Sequence, residues 1–140
     1  MDKKCQVRKW FLATALAYLG TPYIWGGDDP SGFDCSGFVV ECLKTAGLLN
    51  ESEDYNADSL MRKFGAFQAN KPCEGALLFT CGKSGRAFHV VICLDEFFQI
   101  GANGGGSQTT DSKTAWRDNA YVKIRPIKFD RVKNRLISLF

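Results

Sequence analysis

Long apolar runs are missing from this chain of 140 residues. The best stretch, Phe11 to Ala17, falls well short of the ~20 residues needed to cross a bilayer, so no membrane span is expected. Charge of one sign is also scarce. Lysine and arginine total 18 against 15 aspartates and glutamates, a net charge of +3, and no basic stripe with interleaved aromatics occurs. Nucleic acid is therefore not an expected partner. None of the six cysteines (Cys5, Cys35, Cys42, Cys73, Cys81 and Cys93) forms a Cys-x-x-Cys pair. That removes the spacing of a redox motif or a zinc ribbon, and no metal or cofactor is expected. Gly104-Gly105-Gly106 lacks the Lys-Ser/Thr of a phosphate loop and reads as a mobile loop instead. Repeats, low-complexity tracts and linkers are absent as well, so residues 1–140 should form a single domain with a core of its own.

An even number of cysteines in a short secreted protein would suggest a disulfide framework. Here several occupy helix or strand positions, and most read as reduced core thiols. Met1 to Gly20 imitates a secretory signal, with Lys3, Lys4, Arg8 and Lys9 ahead of small and apolar residues. Against that, Val7, Trp10, Phe11, Thr14, Ala15, Tyr18 and Leu19 fall on one helical stripe, which favours a helix of the domain and no convincing signal.

The chemistry concentrates around Asp34-Cys35-Ser36-Gly37. From Cys35 to Ala46 the small and apolar residues recur as Cys35, Phe38, Val39, Cys42, Leu43 and Ala46, the stripe of a helix that Gly47 ends. The cluster Asp28-Asp29-Pro30-Ser31-Gly32 before it reads as a loop. Asp34 is then a candidate N-cap and Cys35 lies in the first turn. Free cysteine has a pKa of about 8.5, and the partial positive charge of a helix N-terminus favours its thiolate, so this position should lower that value.

Asp58 to Phe64 suggests a short helix, and nothing between Asn50 and Asn70 carries obvious chemistry. Beyond Lys71-Pro72 the chain changes character. Ala76–Phe79, Phe88–Leu94, Phe97–Ile100 and Tyr121–Ile124 read as strands, with a tight hairpin at Asp95-Glu96. Helices first and strands later predict an α+β domain in which a small antiparallel sheet supports N-terminal helices.

His89, on the second strand, is the only histidine in the chain. A cysteine nucleophile needs a base, and no other imidazole can serve. Such a ring also needs a third group to fix its tautomer. Phe97, Gln99, Gly101 and Asn103 share one strand face, so Gln99 or Asn103 could reach it; Gln99, nearer the paired segment, is the choice made from sequence.

Gly20-Thr21-Pro22-Tyr23-Ile24-Trp25-Gly26-Gly27 followed by Gly32-Phe33-Asp34-Cys35-Ser36-Gly37-Phe38 resembles the nucleophile signature of the NlpC-type cell-wall cysteine peptidases, which are papain-like. Lys71-Pro72-Cys73-Glu74-Gly75-Ala76 is similar to that family's turn into the first strand, with alanine for its usual aspartate. The Phe88–Leu94 run is similar to its histidine strand. The resemblance implies a papain-like fold with the nucleophile at a helix N-terminus, Cys35 and His89 as the catalytic dyad, and peptidoglycan stem peptides cut beside γ-D-glutamate. It further implies that Tyr23 serves the oxyanion site, that Asp34 and Ser36 receive a free amino terminus, and that Trp25 contacts substrate. Action would be at the bacterial cell wall, with phage-associated lysis or tail hydrolysis as one route. The resemblance falters at one point: where many members carry a second histidine, this chain has Gly101. A related amidase or acyltransferase, or a weakened wall-binding module, are the other readings these residues allow.

Overall fold

The computed structural model describes residues 2–29 and 31–140; Met1 and Pro30, which the helix and loop readings included, lie outside the described residues. Helix α1 (Lys3–Ala17) starts where the Asp2 carboxylate accepts the Cys5 N–H, an ordinary N-cap. Its buried face consists of Phe11 and Ala15, flanked by the half-buried Val7, Leu12 and Tyr18. The expected stripe is therefore turned: Trp10 and Leu19 point outward, 54% and 46% exposed. Phe11 meets Phe140 at a ring distance of 5.8 Å, which shows why the packed face is centred there.

A small hairpin, β1 (Asp28–Asp29) with β2 (Gly32–Phe33), occupies the stretch read as loop. It leads directly into helix α2 (Cys35–Thr45), capped by Asp34 as expected. The two sequence signatures are physically interlocked. Asp34 donates its N–H to the Gly27 carbonyl, Ile24 to Phe33, and Phe33 to Pro22. Gly37 packs so close to Gly27 that a Cβ would overlap the Gly27 carbonyl oxygen. Small residues at both places are what allow the segment ending at Gly27 to lie along the start of α2.

Helix α3 (Ala57–Lys63) carries an Asn56–Ser59 capping box. The strands are β3 (Gln68–Ala69), β4 (Leu77–Cys81), β5 (Ala87–Cys93), β6 (Phe98–Asn103), β7 (Tyr121–Pro126) and β8 (Asn134–Ile137), with α4 (Ser112–Arg117) before β7. They form one sheet in the order β3-β8-β4-β5-β6-β7, every neighbouring pair antiparallel. The α+β architecture is thus present, with α4, β3 and β8 added to the elements expected from sequence. The turn between β5 and β6 is wider than a two-residue hairpin. Asp95 organises it, its carboxylate accepting the Phe97 and Phe98 N–H groups.

Leu77, Phe79, Val90, Ile92 and Ile100 face the helices and join Phe11, Phe33, Phe38, Leu43 and Leu60 in the main core. The opposite face carries Leu78, Val91, Cys93 and Leu136 beneath Ile127 and Phe129. Burial on both faces explains why Val90-Val91-Ile92-Cys93 is continuously apolar, whereas Phe88, at the start of the strand, is exposed. All six cysteines are unpaired, and Cys42, Cys81 and Cys93 are buried.

One long-range contact fixes the start of the histidine strand. Asp58, at the head of α3, accepts the Ala87 N–H at 3.0 Å. It also pairs with Arg62 at 2.9 Å and Arg86 at 3.9 Å, with its own side chain only 9% exposed.

Candidate active site

Cys35 is the first residue of α2, and its helix packs across β5. The Val90 N–H, next to His89, supports the Cys35 sulfur, as do the N–H groups of Ser36 and of Cys35 itself; each favours the thiolate. Burial outweighs them and raises the thiol above its usual pKa. The expectation of a lowered value from helix position alone is therefore not met: desolvation of the charged form exceeds what a few N–H dipoles return. His89 is pushed the other way, held below the usual imidazole value by burial and by the Arg125 charge, with the Asn103 hydrogen bond opposing. At neutral pH both groups rest uncharged.

The ring of His89 is held by Asn103, not by Gln99. His89 Nε2 lies 3.1 Å from Asn103 Oδ1. The Asn103 amide in turn donates through Nδ2 to the Gly101 carbonyl at 3.0 Å and to Gln99 Oε1 at 3.4 Å. With Nδ2 committed to two acceptors, Oδ1 must accept, so Nε2 carries the proton and Nδ1 is the basic nitrogen. Gln99 stands one bond further out and steadies the amide. The sequence choice between the two fails because reach along a strand face depends on how a side chain folds back, and Asn103 folds over Gly101. A Cβ at Gly101 would come within 2.5 Å of Val91 Cγ1 and 3.3 Å of Asn103 Nδ2. Gly101, where a side chain would crowd Val91, is the residue that makes room for the asparagine.

Tyr23 is buried, and its ring packs against Gly105, where a Cβ would overlap it. The glycine run read as a loop thus forms a wall of the site. Burial first, and then the Cys35 and Asp34 charges, push the Tyr23 hydroxyl up to about 12, so it remains a proton donor across the physiological range. Asp34 accepts the Gly37 N–H at 2.7 Å and the Ser36 hydroxyl at 3.3 Å. Burial raises its pKa against these bonds, and Asp54 adds to the rise. Trp25 is 55% exposed, anchored through its backbone N–H to the Thr109 carbonyl at 2.7 Å.

Beside Cys35 a cleft of about 390 Å³ is lined by Gly26, Gly27, Asp28, Asp34, Ser36, Gly37, Asp54, Tyr55, Asn56 and Ser59. Three carboxylates and no cation make it a site for positive charge. Residues 54–59 were not read as part of any site, because only the fold brings them opposite Asp34. A larger cleft of about 880 Å³ between α3 and β8 lies away from these residues. Among the described residues no cluster of histidine, cysteine, aspartate or glutamate suits a metal ion, and no helix is long and apolar enough to cross a membrane.

Comparison with known proteins adds a third line of observation. Residues 20–126 match the model of the NlpC/P60 family. The chain is 38% identical over 106 residues to Protein P54 of Enterococcus faecium, a match covering 75% of this chain and 20% of that protein. It is 33% identical over 123 residues to the bifunctional muramidase/DL-endopeptidase CwlT of Bacillus subtilis, covering 85% of this chain and 35% of that one. The chain therefore spans only about a fifth to a third of the length of these relatives. Among solved structures, the NlpC/p60 domain of the peptidoglycan hydrolase SagA superposes with a TM-score of 0.66 at 27% identity, covering 94% of this chain and 98% of that domain. The family model spans most of the chain, Tyr23, Cys35, His89 and Asn103 included, and the chain belongs to the NlpC/P60 family.

Proposed function

We propose that this chain is a cysteine peptidase that hydrolyses an amide bond in peptidoglycan stem peptides, beside γ-D-glutamate, at the bacterial cell wall. The observation that carries the reading is the His89–Asn103 hydrogen bond, which leaves a basic imidazole nitrogen on the strand against which the Cys35 sulfur rests.

In the proposed reaction His89 Nδ1 takes the Cys35 proton as the sulfur attacks the carbonyl carbon. The carbonyl π pair moves onto oxygen, where the Cys35 N–H and the Tyr23 hydroxyl donate to the developing charge. Collapse of this intermediate breaks the C–N bond, and His89 returns its proton to the departing amine. Water then attacks the thioester, giving its proton to His89 and releasing the acid, and Cys35 regains a proton. Asn103 holds the imidazole in one tautomer throughout and stabilises its charged form.

The acidic cleft beside Asp34 suits a free ammonium on the acyl side of the scissile bond. Asp34 and Ser36 would meet it, with Asp54 opposite and Trp25 at the open rim. This favours short stem peptides with an unblocked amino terminus. The test is to incubate the protein with peptidoglycan and with defined stem peptides, and to read new amino termini by mass spectrometry. Cleavage by the native chain and none by Cys35→Ala is expected. Absence of any new terminus on every wall substrate would overturn the reading.

A further inference from the structure

The catalytic pair is flanked by opposite charges. On the Cys35 side the cleft is acidic, lined by Asp28, Asp34 and Asp54. On the His89 side, β7 pairs with β6 so that Arg125 is opposite Gln99, Lys123 opposite Gly101 and Tyr121 opposite Asn103. Cross-strand partners share a face, so both cations stand on the face that carries the Asn103 amide. The Lys123 ammonium does not trail into solvent. It donates to the Asn119 carbonyl at 2.6 Å and lies 4.8 Å from the centre of the Tyr121 ring, which directs it toward the Asn103 end of the strand. Opposite it Gly101 contributes no side chain of its own, and Val91 and the Asn103 amide close in over it. No carboxylate among the described residues pairs with Lys123 or Arg125, whereas the cations of α3 and α4 nearby in sequence to acids do find partners. Burial first, and the Arg125 charge after it, lower the pKa of Lys123, and the same charge reaches His89.

We propose that Lys123 and Arg125 form a subsite for a carboxylate on the residue whose amine leaves when the peptide is cut. The inference rests on the peptidase reading of Cys35 and His89. Its logic is that His89 protonates the leaving amine, so the leaving residue must lie on the His89 side of the cleft, where the unpaired cations stand. The substrate is then a peptide with an ammonium on its acyl side and a carboxylate beyond the scissile bond.

The first measurement compares L-alanyl-γ-D-glutamyl-L-lysine bearing a free C-terminal carboxylate with the same peptide as its carboxamide. A kcat/KM about fivefold higher for the acid is expected, the size of a partly solvated ion pair. This preference should fall to within about twofold in the double variant Lys123→Gln/Arg125→Gln. The second measurement is independent of turnover. In Cys35→Ala protein the imidazole C–H resonance of His89, unique in the chain, is titrated with and without free L-lysine, the leaving product of that peptide. A bound carboxylate offsets the Arg125 charge and raises the His89 pKa, and L-lysinamide should not. Cleavage of both peptides without preference, together with no shift, overturns the subsite and leaves the peptidase reading standing. A carboxylate-dependent shift with neither peptide cleaved supports the subsite and overturns the peptidase reading on these substrates. Neither cleavage nor shift overturns both.

Discussion

His89 Nε2 and Asn103 Oδ1 lie 3.1 Å apart, and the Asn103 amide is itself held by Gly101 and Gln99. A side chain pinned at both ends fixes the plane of the ring it touches. Asn103→Ala should lower kcat/KM by about 10- to 100-fold, the usual cost of removing a group that orients a reacting one. Gln99→Ala, one bond further away, should cost about threefold or less on the same scale. Steady-state kinetics on a stem peptide decides this, and equal losses in the two variants would reverse the ranking.

Gly101 ties the backbone to that bond. An added methyl must displace Val91 or the Asn103 amide. Gly101→Ala is therefore expected to cost about 1–3 kcal/mol in urea unfolding, typical of overpacking. Activity should drop alongside stability. Restoring a histidine in Gly101→His should not rescue Asn103→Ala, because the space beside Val91 is already filled.

The pH profile follows from the direction of the His89 shift. Burial lowers its pKa below 6.5, so the ring stays neutral and able to accept a proton further into acid than a free imidazole. The acid limb of kcat/KM should have its midpoint below 6.5, and Arg125→Gln, which removes a charge that depresses the value, should move it upward. For stability the sign is the same. The unfolded chain binds a proton near pH 6.5 that the folded one refuses, so this residue makes folding less favourable as pH falls below about 6.5. A limb above 6.5 in native protein would contradict the burial.

Tyr23 offers a separate test, since its hydroxyl remains protonated with a pKa of about 12. Tyr23→Phe should reduce kcat by roughly 100-fold with little change in KM, as expected of a donor used in the transition state. Iodoacetamide labelling of Cys35 should be unaffected. A change confined to KM would assign the hydroxyl to ground-state binding instead.

Asp58 is a buried carboxylate with one backbone and two guanidinium partners. Replacing it by alanine leaves the Ala87 N–H without an acceptor and should destabilise the fold by about 1–3 kcal/mol. Because Ala87 begins the strand of His89, the variant should also lose activity before it unfolds, measurable as a lower temperature of inactivation than of melting.

What the sequence made legible is what depends on near neighbours. The α2 stripe, its Asp34 cap and the glycine-framed segment before it are local patterns, and the lone histidine stands on the strand where the sequence puts it. The misses share a different cause. Asn103 displaced Gln99 because of a fold-back over Gly101 that involves Val91 on another strand. Asp58 reaches Ala87 across 29 positions. Trp10 looks as apolar as Phe11, and only contact with Phe140 decides which of them faces inward. Asn134-Arg135-Leu136-Ile137 has half its residues polar and forms a strand because both its edges find partners.

That last strand has a consequence for how the molecule is made. β8 is inserted between β3 and β4, so two earlier segments must wait for it before they are joined through the sheet. A nascent chain stopped before Asn134 would present the β4 edge, with Leu77, Leu78 and Phe79, unpaired. Ribosome stalling or proteolytic trimming in this short stretch would turn a folding domain into a seed for edge-to-edge aggregation, even though Cys35, His89 and Asn103 had all been synthesised.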